Sequence, residues 1–163
     1  MKLFITGATG YIGNRLAMQA AERGWSVHAL VRNIESKYCP LHPNVSLFKG
    51  DITDPDSINK AISGCDQVFH SAAFTDETLR SNPDFFNVNV KGTENVLEIA
   101  LKNNVSRFVF TGSCSVFAPS KLKPVDGSSE DEINPTTDYS ISKYKAERIV
   151  REYSQKRDID CDR

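Results

Sequence analysis

Short apolar runs alternate along this chain with segments of helical period. The runs Leu3–Ile5, Val27–Val31, Val45–Lys49, Gln67–His70 and Arg107–Thr111 are rich in β-branched and aromatic residues and are too short for helices, which predicts strands. Between them, Tyr11–Arg23 carries Ile12, Leu16 and Ala20 on one stripe, and Asp54–Ser63 carries Ile58, Ala61 and Ile62 ahead of a stopping Gly64. Val90, Val96, Leu97, Ala100 and Leu101 predict a longer helix over about Pro83–Asn104. The stretch Ser113–Pro135 reads as a loop, because Pro119, Pro124, Gly127 and Pro135 interrupt any period. A last helix, about Thr137–Lys156, takes Thr137 or Asp138 as N-cap and is expected to bury Ile141, Tyr144 or the stem of Lys145, Ile149 and Tyr153. Strand and helix alternating in this way predict βαβ units, hence an α/β fold with a doubly wound parallel sheet and helices on both faces. There is no internal repeat and no low-complexity tract.

The strongest local signal follows the first strand, where Thr6-Gly7-Ala8-Thr9-Gly10-Tyr11-Ile12-Gly13 runs straight into a helix. Glycines at this spacing in a strand–turn–helix context suit a phosphate-binding turn. Gly7 permits the tight turn, Gly10 lets backbone N–H groups approach a pyrophosphate, and Gly13 lets the helix pack close to the strand. The helix N-terminus then stabilises the phosphate charge. At the end of the second strand an acidic side chain would receive the ribose hydroxyls of NAD. Val31 followed by Arg32 stands there instead, and a guanidinium suits the 2′-phosphate of NADP. A solvated surface arginine is the plainer alternative at that position.

Length and composition narrow the classes. The 163 residues suffice for one domain, 1–163, with its own core. Twenty Lys+Arg against 21 Asp+Glu leave a formal net charge of −1, which argues against nucleic acid or an anionic membrane as partner. No apolar run approaches the roughly 20 residues of a membrane span, and the expected start of the first strand almost at Met1 leaves no room for a leader. Cys39, Cys65, Cys114 and Cys161 form no C-x-x-C pair and read as reduced thiols of a cytoplasmic protein. Cys39 and His42 have a C-x-x-H spacing, but no second pair completes a metal site, so no metal is expected.

The residues resemble a known family, the extended short-chain dehydrogenases/reductases, also called the NAD-dependent epimerase/dehydratase group. The resemblance rests on TGATGYIG at 6–13, GDITD at 50–54, HSAA at 70–73, NVNVKGTENVLEIA at 87–100, FVFTGS at 108–113 and YSISK at 139–143. ALVRN at 29–33 and TGSCSVFAPS at 111–120 are most similar to its dihydroflavonol-reductase and 3β-hydroxysteroid-dehydrogenase branches. The resemblance implies a Rossmann fold with the phosphate site at the carboxyl ends of the strands, a small-molecule carbonyl/alcohol substrate, and a homodimer through the helices that follow strands four and five. It also implies that Asp51 and Ile52 meet the adenine, that the small Ala72 and Ala73 allow close passage of the cofactor, and that Asn89 braces the long helix. Ser113, Tyr139 and Lys143 are the implied catalytic residues.

Chemistry supports that last assignment. Tyr139 and Lys143 are four residues apart, so on one helix they share a face. A free phenol is a poor base at neutral pH, and a fixed ammonium close by stabilises the phenolate. Lys143 would supply that charge and also hold the nicotinamide ribose. Tyr139 would pass a proton to or from the substrate oxygen while Ser113 hydrogen-bonds the same oxygen. Ser115 is a competing serine, and Cys114 between them reads as a small buried filler rather than a nucleophile.

Departures from the resemblance leave alternatives open. Family members run about twice as long, and this chain stops at Arg163 inside an expected sixth strand, Ile159–Cys161, so the C-terminal, substrate-binding part of the family fold is expected to be missing. Such a truncated sheet would leave an open edge and an uncovered face. Ala118 stands where a glycine is common, and Gly112 replaces a usual serine. An NADP-dependent oxidoreductase is the first reading. A nucleotide-sugar epimerase or dehydratase with bound NAD is the second, and a truncated, non-catalytic dinucleotide-binding module the third.

Overall fold

Six strands pair in parallel in the computed structural model, which describes residues 1–75, 78, 81–117, 133–156 and 159–162. In chain order they are β1 (Lys2–Thr6), β2 (Ser26–Val31), β3 (Val45–Lys49), β4 (Gln67–His70), β5 (Arg107–Phe110) and β6 (Asp160–Asp162). The spatial order is β3-β2-β1-β4-β5-β6, the doubly wound arrangement that the alternation of elements predicts. The winding reverses between β1 and β4. Register pairs Thr6 with Leu30 on one side and with His70 on the other, so the carboxyl ends of these strands share one edge. At this reversal the chains leave the sheet in opposite directions and open a crevice.

Parallel strands bury both faces, and β1 shows it: Leu3, Phe4, Ile5 and Thr6 are all buried. Leu3, Ile5, Val27, Ala29 and Val31 pack on one face with Ala17, Ala20 and Ala21 of α1 (Tyr11–Glu22). Phe4, Val68, Phe108 and Phe110 pack on the other face. Their partners are α2 (Pro55–Ile62), α4 (Thr93–Lys102) and α5 (Asp138–Lys156). In α2 the expected Ile58, Ala61 and Ile62 are buried, and Asp54 caps the helix by accepting from the Asp56 amide.

Three expectations about helices need correction. The buried stripe of α1 is Gly13, Ala17, Ala20 and Ala21, whereas Ile12 is 52% exposed and Leu16 only half-buried. Close approach to the sheet selects the smallest side chains, so the helix turns its small face inward rather than its most apolar one. The predicted helix over Pro83–Asn104 is divided into α3 (Asp84–Phe86), a π-helical segment Asn87–Gly92, and α4. The wide π turn points Asn89 inward and sets Gly92 against Ile52, whose Cδ1 lies 2.6 Å from where a Cβ would stand. Asn104, with φ 55°, closes the helix.

In α5 the third correction matters for chemistry. Ile141, Tyr144, Ile149 and Tyr153 are only partly buried, while Ser142, Lys143, Ala146, Glu147 and Val150 form the buried face. The helix is rotated so that a lysine and a glutamate point inward, an orientation that hydrophobic periodicity alone would not select. Its start is as expected: Thr137 Oγ1 accepts from the Ser140 amide at 3.1 Å. β6 covers Asp160–Asp162, close to the expected sixth strand, and its partner is β5. Pro119, Pro124, Gly127 and Ala118, on which the loop reading and one departure rested, lie outside the described residues.

Candidate active site

The crevice at the winding reversal is a cleft of about 430 Å³. Every cofactor-contacting candidate from the sequence except Lys143 lines it: Gly7, Thr9, Gly10, Tyr11, Ile12 and Gly13 from the first turn, Arg32 after β2, Asp51 and Ile52 after β3, and Ala72 and Ala73 after β4. At Gly7, φ is +73°, and a Cβ there would lie 2.6 Å from the Ala72 nitrogen. A Cβ on Gly13 would meet the Gly7 carbonyl oxygen at 2.4 Å. Strand, turn and helix thus meet at van der Waals distance or less, and only glycine fits at both positions. Gly10 is freer, its nearest such contact being 3.2 Å. It serves as N-cap of α1 with no side-chain cap, so first-turn N–H groups stay available at the cleft.

Side chains brace the turn from β4. Ser71 Oγ donates to the Thr6 carbonyl at 2.9 Å, and the Ala72 amide donates to Thr6 Oγ1 at 3.2 Å. Tyr11 is 94% exposed beside the cleft, as a residue outside the core would be. Arg32 is exposed and has no ion pair among the described residues. Asp51 Oδ1 accepts from both the amide and the hydroxyl of Thr53, at 2.9 and 2.8 Å, which fixes the carboxylate at the end of β3.

The catalytic candidates lie further along the same edge. Lys143 is buried, and its Nζ donates to the Thr111 carbonyl at 2.7 Å and sits 4.2 Å above the Phe110 ring centre. Burial pulls its ammonium down from 10.5 to about 8, against an opposing pull from Glu147 one turn on. It therefore stays mainly cationic at neutral pH. Thr111 Oγ1, beside this contact, is buried without a hydrogen-bond partner. Tyr139 lies one turn before Lys143 with its ring edge-on to Phe85, the centroids 6.2 Å apart. Ser113 follows β5, beyond Thr111 and Gly112, and caps a short 3-10 turn, Cys114–Val116, that packs against α5. Its hydroxyl is 2.8 Å from that of Ser115, so the two competing serines share one place. Cys114 is exposed, which corrects the expectation of a buried filler: it stands on the outer side of the turn that points Val116 into the core.

Several residues beside these candidates have partners that their neighbours in sequence do not disclose. Asn89, expected only as a brace, accepts from the Phe74 amide at 2.7 Å and donates to the Phe74 carbonyl at 3.1 Å and to Ser142 Oγ at 2.9 Å. Ser142 in turn donates to the Tyr139 carbonyl at 2.7 Å. Glu147, nearly buried, bonds Arg151 at 3.0 Å. His70 lies buried between Thr6 and Thr93. Burial, aided by the Lys143 charge, lowers it from 6.5 to about 3, so it is neutral. His70 and Asn89 fall within the HSAA and NVNVKGTENVLEIA segments, but neither segment shows their partners, and Glu147 falls in none of the motif segments.

The fold and this edge together define a dinucleotide-binding α/β domain. Residues 3–161 match the NAD dependent epimerase/dehydratase family, and the chain belongs to that family. It is 34% identical, over 96% of its length, to the uncharacterised protein y4nG of Sinorhizobium fredii, of which it covers 38%. It is 34% identical over 91% of its length to a 3 beta-hydroxysteroid dehydrogenase/Delta 5-->4-isomerase of Mycobacterium tuberculosis, of which it covers 42%. Among solved structures, the Bordetella bronchiseptica enzyme WbmH in complex with NAD+ superposes with a TM-score of 0.78 at 31% identity, covering 98% of this chain and 53% of that one. The chain thus spans half or less of the length of these curated relatives.

Proposed function

We propose that this chain is the dinucleotide-binding part of an NADP-dependent reductase or dehydrogenase acting on a carbonyl/alcohol pair. Arg32 carries the reading: it is exposed, free of ion pairs among the described residues, and faces the cleft immediately after β2 with Val31 where a carboxylate would favour NAD. The glycine cradle and the uncapped α1 N-terminus fit the pyrophosphate. Named relatives include the Mycobacterium tuberculosis dehydrogenase and a dihydroflavonol 4-reductase from Solanum lycopersicum, both oxidoreductases by name.

When bound, the nicotinamide supplies the hydride acceptor or donor. The protein's own residues do the rest. Lys143 holds a buried positive charge one helical turn from Tyr139, with two of its three N–H donors left for a ribose diol beyond the bond to Thr111. Tyr139 exchanges a proton with the substrate oxygen, and Ser113, whose Oγ accepts from the Ser115 amide, hydrogen-bonds that oxygen. Asn89 and Ser142 hold the start of α5 so that Tyr139 keeps its place. A homodimer through α4 and α5 and a reducing, cytoplasmic setting for the free thiols belong to the same reading. Light scattering on the purified protein tests the dimer.

Calorimetric titration with NADPH and with NADH tests the cofactor. Preference for NADPH supports the reading, and equal or reversed preference overturns it. A second reading, an epimerase retaining NAD, draws on an Escherichia coli O157:H7 4-epimerase at 29% identity and on neighbours solved with NAD. NAD released on denaturing the purified protein would favour it. A third reading, a dinucleotide-binding module without turnover, would be favoured by cofactor binding with no activity on any carbonyl.

A further inference from the structure

A single directed line of hydrogen bonds joins the phosphate turn to the helix that braces the catalytic candidates. Thr93 Oγ1 lies 2.6 Å from the Asn89 carbonyl, which can only accept, so the Thr93 proton is committed there. Thr93 Oγ1 is then an acceptor for the His70 Nε2 at 2.9 Å, and that nitrogen must carry the ring proton. Nδ1 is left as an acceptor, and Thr6 Oγ1 donates to it at 2.6 Å. A remaining lone pair of Thr6 Oγ1 takes the Ala72 amide. Thr6, His70, Thr93 and Asn89 are all at most 1% exposed, so water does not compete for any link.

We propose that His70 is a positioning residue, a neutral strut that, through Thr6 and Thr93, holds the phosphate turn and the Asn89 helix in one arrangement. Thr6 directly precedes Gly7, Ala72 lines the cleft, and Asn89 reaches Phe74 and Ser142. The two ends of the cleft are therefore set together, and binding at the turn is felt at the start of α5. A histidine merely filling the core would need no fixed proton arrangement and would carry no such coupling. The consequence for cofactor binding rests on the dinucleotide reading above, whereas the strut itself does not.

The test uses the intact chain and hydrogen exchange without ligand. Thr93→Val removes one hydroxyl with little change of shape and touches neither Thr6 nor the cleft lining. The Ala72 amide, at the far end of the line, should exchange about tenfold faster relative to the Val27 amide, and Thr93→Ser should restore it. Nitrogen NMR shifts should show His70 as the Nε2–H tautomer in the native chain and in Thr93→Ser. An Nδ1–H tautomer, or acceleration no greater at Ala72 than at Val27, overturns the strut. Should Thr93→Val fail to fold, Thr6→Val read at the Phe74 amide makes the same test from the other end. NADPH titration of the variants is the separate arm: a native chain that binds neither NADPH nor NADH overturns the cofactor reading, and the exchange result still decides the strut. Where the native chain binds, Thr93→Val should weaken NADPH by about tenfold with Thr93→Ser near native affinity, and unchanged affinity overturns the coupling.

Discussion

The glycine turn and the cluster around Lys143 share one edge of the sheet but are built on opposite principles. The turn occupies consecutive residues, Thr6–Gly13, and its shape comes from side chains that are missing: a Cβ at Gly7 or Gly13 would collide with backbone. The Lys143 cluster draws on β5, the 3-10 turn and α5, and its shape comes from side chains that are present, buried and charged. A backbone cradle is specified locally and tolerates almost nothing at its glycines. A buried ammonium depends on everything around it, and it persists because the Thr111 carbonyl accepts a hydrogen bond from it and the negative charge of Glu147 favours its charged form.

The sharpest way to separate the two regions is to remove one function and leave the other. Tyr139→Phe should lower turnover of a carbonyl substrate by about 10²–10⁴ with NADPH affinity unchanged. Parallel loss of affinity would show that Tyr139 belongs to the binding half. Gly13→Val should do the reverse at the turn, abolishing cofactor binding and destabilising the fold by about 3 kcal/mol or more by urea unfolding, since its Cβ lands on the Gly7 carbonyl. A variant that still binds would show that the helix can back away.

Acid sharpens the comparison further, because His70 links the regions. Above pH 6.5 it is neutral in folded and unfolded chains alike and adds no pH dependence. Below 6.5 the unfolded chain takes up a proton that the folded chain refuses down to about 3, so stability falls with pH across that window. At pH 5 the loss amounts to about 2 kcal/mol. His70→Gln, less stable at pH 7, should show a shallower decline between pH 6.5 and 5, and parallel declines would mean that His70 is not held neutral. The smallest effect is expected at the cleft rim, where Arg32→Asp should move the NADPH to NADH preference by about tenfold or more toward NADH. An unchanged ratio would leave Arg32 a solvated surface residue.

Legibility followed the same division. The strands, the order of elements and the glycine turn were readable because each depends on neighbours in sequence: alternation, length, and a spacing that one strand–turn–helix can satisfy. Ser113, Tyr139 and Lys143 were readable as a pattern by resemblance, but not their surroundings. Periodicity placed Ile141, Tyr144 and Ile149 in the core of α5, whereas the structure turns Lys143 and Glu147 inward. Ile12, a cofactor-contacting candidate that lines the cleft, was also expected on the buried stripe of α1 and is exposed, and Cys114 was expected buried and is exposed.

The sequence by itself determined the βαβ alternation, the place of the glycine turn and the residue that follows β2, because local sterics and short-range periodicity act before any tertiary contact forms. The tertiary structure alone decided which face of α1 and α5 lies inward, where the long helix widens to admit Asn89, and that Thr6, His70 and Thr93 share one line of protons. Those outcomes depend on what packs opposite each residue, and residues 64 positions apart, such as Thr6 and His70, meet only when β1 and β4 pair.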